Sequence, residues 1–83
     1  MDKAEIQEKV ISVLAEHFDK EPSEISAGTR FTEDLDADSL ELVEVVLVLE
    51  EAFETSIAED EMENVKTVGE AVDLIASKVG VSA

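Results

Sequence analysis

Two apolar stripes at helical spacing constrain this chain more than anything else in it: Ile6, Val10, Val13, Leu14 and Phe18, then Leu42, Val45, Val46, Leu49 and Phe53. Steps of three and four place each set on one side of an α-helix, where a neighbouring element can bury it. Start and stop signals bracket the stripes. Asp2 with Glu5, Asp38 with Glu41, Ser56 with Glu59 and Thr67 with Glu70 all have the spacing of capping boxes. Gly80 is placed to end the last segment as a C-cap. These signals predict helices over about Lys3 to Phe18 and Ser39 to Glu54, a short turn of helix near Glu59 to Asn64, and a last helix from Thr67-Val68 to about Val79. Val45 to Leu49 is a continuous apolar run that periodicity alone does not separate from a buried strand. Its length and the flanking Glu41, Glu44, Glu50 and Glu51 favour helix.

The stretch from Asp19 to Ala37, with Pro22 and Gly28, reads as a long connection. Structureless loops of that length are uncommon in compact domains, so Ile25, Phe31 and Leu35 are expected to pin it onto the core. The predicted fold is all-α: a small four-helix bundle, three long helices and one short, in up-and-down order with a long first loop. A chain of 83 residues suits one domain, expected to span 1–83 with its core over about 4–79.

The second helix carries more apolar surface than a core needs. Leu40, Val43 and Leu47 form another stripe on a different face, and a domain this small can hardly bury a helix all round. Bordered by Glu41, Glu44, Glu50 and Glu51, that face has the makeup of a partner-binding patch with an acidic rim. Met62 on the short helix is expected to extend it, because Met adapts to varied partners. The alternative is that Leu40 and Val43 pack beneath the long loop.

Charge narrows the classes of partner. There are 22 acidic and 6 basic residues, a formal net charge of −16. Nucleic acid and anionic membranes would repel such a chain, whereas basic protein surfaces would attract it. Disorder also produces high charge, but a 45% hydrophobic composition at helical spacing predicts a folded chain; a monomer is expected. No stretch approaches membrane-spanning length, and the first residues show neither a signal-peptide h-region nor an Arg-rich transit pattern, so the expected location is cytoplasmic. With no Cys in the chain, neither a disulfide framework nor a thiolate metal site is available.

Ser39 is the residue with chemical promise. It stands at a helix start, where unpaired N–H groups and the positive helix end favour an attached phosphate. From Glu33 to Glu63 there are thirteen acidic residues and no Lys, Arg or His. An exposed hydroxyl without a base is a poor nucleophile and a better attachment point. Ser and Asp at a helix start are also ordinary capping residues, and position alone does not separate the two roles.

The longer pattern does. Phe31-x-x-Asp34-Leu35-x-x-Asp38-Ser39-Leu40, followed by Glu44, Leu49-Glu50-x-x-Phe53 and Thr67-Val68, resembles the acyl carrier protein family over roughly residues 4–79. The resemblance implies that Ser39, flanked by Asp38, receives 4′-phosphopantetheine from coenzyme A through a separate Mg²⁺-dependent phosphopantetheinyl transferase of the holo-synthase type. It implies that the second helix is a recognition helix, with Leu40, Val43 and Leu47 giving apolar contacts and Glu41, Glu44 and Glu50 meeting Arg and Lys on fatty acid synthesis enzymes. A cavity for the acyl chain is implied by the family and permitted by a core poor in aromatics. Two positions depart from the family: Asp36 stands where Gly is usual, and Ala58 where Pro is common.

Other readings stay open at this point. A polyketide, aminoacyl or other specialised carrier would share the fold and the serine. An acidic interaction bundle without a prosthetic group shares every compositional feature. An EF-hand fits Asp34, Asp36 and Asp38 but fails at Ser39, where Gly is needed, and at Val45, where the bidentate Glu belongs; only weak, diffuse divalent binding is expected, and no metal ligand is assigned. Catalysis by the chain itself is not expected. His17, the one histidine, reads as a solvated or partly packed side chain, and no Ser/His/Asp set or phosphate loop occurs.

Overall fold

The computed structural model describes residues 2–80, the side chain of Glu59 excepted. Among them the chain forms helix α1 (Lys3–Phe18), a 3₁₀ turn (Pro22–Glu24), α2 (Ser39–Phe53), α3 (Glu59–Glu63) and α4 (Val68–Val79). Local chemistry sets most of these bounds. The Asp2 carboxylate accepts the Glu5 N–H at 2.9 Å, and the Glu5 carboxylate reaches back to the Asp2 N–H. Thr67 and Glu70 make the same reciprocal pair ahead of α4. Helix α1 ends with Asp19 in the left-handed region (φ 55°) and the Lys20 N–H on the Ala15 carbonyl at 2.8 Å, a Schellman-type stop. Gly80, at φ 78°, ends α4 as its position predicts.

Helix α1 lies chiefly against α4 and next against α2. Ile6, Val10 and Leu14 meet Val45 and Leu49 of α2 and Val68, Val72 and Ile75 of α4 in one core, all of them shut off from water. Each such aliphatic side chain stabilises by about 1.5–3 kcal/mol relative to exposure. No helix among the described residues is long and apolar enough to cross a membrane.

The long first loop is fixed at both levels, side chain and backbone. Ile25, Phe31 and Leu35 are buried as expected, joined by Ala37. The loop also runs alongside the entry to α4: the Phe31 N–H donates to the Lys66 carbonyl at 3.1 Å, Val68 to Thr29 at 2.9 Å and Gly69 to Ala27 at 2.8 Å. Gly69 permits that last approach, since a Cβ there would stand 3.0 Å from the Ala27 oxygen.

Three expectations need correction. Met62 is buried, 7% exposed, because α3 folds back over α2 and delivers it into the core. The short helix is capped by Ala58, two residues past Ser56, and the Glu61 carboxylate accepts the Ala58 N–H at 3.0 Å; Glu59, the other half of the predicted box, has a side chain outside the described residues. At α2 the box is half made. Asp38 accepts the Glu41 N–H at 2.9 Å, but the Glu41 carboxylate turns to His17 on α1.

Candidate functional site

Residues 30–38 build the mount for Ser39. The Asp34 carboxylate accepts the Arg30 N–H at 2.8 Å while the Arg30 carbonyl accepts from Asp34 and Leu35, closing a tight turn. Those N–H and guanidinium contacts from Arg30 hold the Asp34 carboxyl below the usual carboxylate range. Phe31 and Leu35, on either side of the turn, are buried. The chain then reverses through Asp36, whose φ of 53° lies in the left-handed region that favours glycine. The Ala37 N–H bonds the Phe31 carbonyl at 2.9 Å, and Asp38 caps α2. Both aspartates of the sequence pattern are thus structural: each closes one turn of the mount.

Ser39 emerges as the first residue of α2, exposed. Its backbone N–H and that of Leu40 fall in the helix's first turn, outside the intrahelical ladder. A recess of about 220 Å³ opens beside it, lined by Leu42, Val43, Val46, Met62 and Glu63. A wider hollow of about 600 Å³ adjoins it past Leu42 and Met62, reaching Arg30 and Lys66. The recess walls are mainly aliphatic and offer no imidazole or amine to take the Ser39 proton. The surroundings suit a hydroxyl that is acted upon, with room for an apolar group next to it. Met62, expected on the outer patch, instead forms part of the recess wall.

Outward from the recess, Leu40, Val43 and Leu47 are 69%, 40% and 59% exposed. They do not pack beneath the loop. The acidic rim divides into two kinds of residue. Glu41 and Glu44 face His17, whose Nε2 lies 3.3 and 3.7 Å from their carboxylates. Glu50 is half-buried and its carboxylate accepts the Ile57 N–H at 2.8 Å, tying the segment after α2 back onto the helix. That bond gives Glu50 a structural duty that the acidic pattern alone did not reveal. Spacing could not have brought His17 to the site either, because it stands 24 residues before Glu41 on another helix.

The fit to a phosphopantetheine arm follows from these observations: an accessible hydroxyl, a helix start with free N–H groups, and a mainly aliphatic recess beside the hydroxyl. Comparison with known proteins agrees. Residues 8–75 match the family model described as "Phosphopantetheine attachment site". The chain is 45% identical to an acyl carrier protein of Borreliella burgdorferi over 96% of its own length and all of the relative's. Those of Lactobacillus acidophilus and Prochlorococcus marinus, at 44% and 42%, match over the same shares. Fold and site together define a phosphopantetheine-bearing carrier domain. The chain belongs to the acyl carrier protein family, non-catalytic carriers that hold acyl groups on covalently bound 4′-phosphopantetheine.

Proposed function

We propose that Ser39 is the attachment residue and that this chain, as a single monomeric carrier domain of the cytoplasm, presents acyl thioesters to the separate enzymes of fatty acid synthesis. The observation that carries the reading is the exposed Ser39 hydroxyl at the start of α2 with an aliphatic recess beside it. The bound arm supplies the thiol that the chain lacks. The chain's own residues do the rest. Asp38 fixes the first turn of α2, Asp34 and the buried Phe31 and Leu35 hold the loop before it, and the recess gives an acyl group shelter from water.

Carboxylates crowd the serine, with Asp36, Asp38 and Glu41 all within three residues. They oppose the approach of an anionic donor such as coenzyme A, so the phosphopantetheinyl transferase must bring the countercharge, through its own cations and Mg²⁺. Docking on later enzymes is assigned to Leu40, Val43 and Leu47 with Glu41 and Glu44 at the rim. Glu50 is assigned to support of that face through its bond to Ile57, and Met62 to the recess. Exposed rim pairs contribute on the order of 1 kcal/mol or less each. Weak pairs suit a carrier that has to leave each enzyme quickly.

The test is intact mass after incubation with coenzyme A, Mg²⁺ and a phosphopantetheinyl transferase. The wild-type chain gains one phosphopantetheine unit and Ser39→Ala gains none. A wild-type chain that stays unmodified would overturn the assignment.

A further inference from the structure

We propose that His17, Glu41 and Glu44 form a binding site for one divalent ion of the borderline transition class, typified by Zn²⁺. The three side chains come from two helices: His17 from the last turn of α1, and the glutamates from the first half of α2, three residues apart and so on one face. His17 Nε2 lies 3.3 Å from Glu41 Oε2 and 3.7 Å from Glu44 Oε2, and all three ligand atoms fall within 4.8 Å of one another. A tetrahedral ion with bonds of about 2.0–2.2 Å needs ligand atoms about 3.4 Å apart. The two nitrogen–oxygen separations already bracket that edge.

Exposure is distributed as a capture site requires. The imidazole side chain is 20% exposed and its ring meets the edge of Phe18 with centroids 5.0 Å apart, so it is the fixed ligand. The Glu41 and Glu44 carboxylates, 43% and 50% exposed, have room to close the remaining gap. Water can complete the shell from the open side. Nε2 presents a single position, a proton or a lone pair, to two carboxylates that carry two negative charges between them. One divalent ion neutralises both.

Ligand chemistry selects the class of ion. One nitrogen with two carboxylate oxygens suits Zn²⁺ and its neighbours, whereas Mg²⁺ and Ca²⁺ prefer all-oxygen shells. The imidazole is therefore what separates this site from the diffuse attraction of cations to the acidic run. Occupancy would also withdraw Glu41 and Glu44 from the docking face and slow loading by partner enzymes. That consequence rests on the docking reading above; the site itself does not.

Because His17 is the only histidine in the chain, its imidazole ¹⁵N resonances report the site alone. On titration with ZnCl₂ at neutral pH, Nε2 should shift and saturate at one ion per chain, and excess MgCl₂ should leave it in place. His17→Gln should abolish the saturable binding seen by calorimetry while keeping the helical circular dichroism. Glu41→Gln and Glu44→Gln should each weaken Zn²⁺ binding by about tenfold or more, read on the same resonance. An imidazole that ignores Zn²⁺ overturns the proposal, as does one that responds equally to Mg²⁺. Saturable binding that survives His17→Gln overturns it as well.

Discussion

Asp36 stands in a left-handed backbone conformation three residues ahead of Ser39, where its Cβ crowds the following carbonyl. Relief of that crowding outweighs the extra freedom glycine has when unfolded, so Asp36→Gly is expected to stabilise the fold by about 0.5–1 kcal/mol. A thermal melt should show a rise of several degrees. The backbone geometry at residue 36 is thus one that favours glycine. Asp34 gives a second residue-scale test. Its carboxyl is held below the ordinary range by the Arg30 N–H and guanidinium, so its contribution to stability is fully present above that range and lost as pH falls through the lowered value. Asp34→Asn should therefore melt lower than wild type at neutral pH, and the two curves should draw together in acid. Curves that stay equally apart at every pH would remove the ionised carboxylate from the account.

Helix α2 works on two faces with separate consequences. Its inner face is core, whereas Leu47 on the outer face is 59% exposed, so Leu47→Ser should move stability by no more than about 0.5 kcal/mol. If that face docks enzymes, the same substitution slows acyl loading; unchanged loading at an unchanged melting temperature would count against the docking role. Charge reversal by Glu44→Lys should act in the same direction on loading. Glu50→Ala should behave in the opposite sense, destabilising by about 1–2 kcal/mol through the lost charged acceptor and speeding amide exchange at Ile57. The helices themselves were legible in the sequence because their signals are local: Asp2 with Glu5 and Thr67 with Glu70 need nothing beyond four consecutive residues. The buried pins of the loop and the outward face of α2 were legible too, since burial there follows apolar spacing. What stayed hidden was long-range. Met62 is buried because α3 folds against α2, Glu50 finds Ile57 across a turn, and Glu41 abandons its box for an imidazole on another helix. None of those partners can be found by spacing along one segment.

At the scale of the whole molecule, a formal charge of −16 on 83 residues works against compactness. Added salt or millimolar Mg²⁺ should raise the melting temperature by screening, and a melting temperature indifferent to both would show that self-repulsion is not limiting. Besides His17 with Glu41 and Glu44, ion pairs join α1 to α4 through Lys3 and Asp73 and α3 to α4 through Lys78 and Glu61; the last pair, with the Ala58 N–H, keeps the Glu61 carboxyl below its ordinary range. The loop that ends at Ser39 is laced to the entry of α4 by Phe31, Thr29 and Ala27, and so belongs to the rigid body. A tether attached there, as proposed, would pivot on a stiff post and borrow no slack from the polypeptide. Its length alone then sets the radius it sweeps, and every enzyme that grips α2 would meet the cargo leaving from the same corner. The active sites of otherwise unrelated partners would have to sit at a common offset from the surfaces that grip α2.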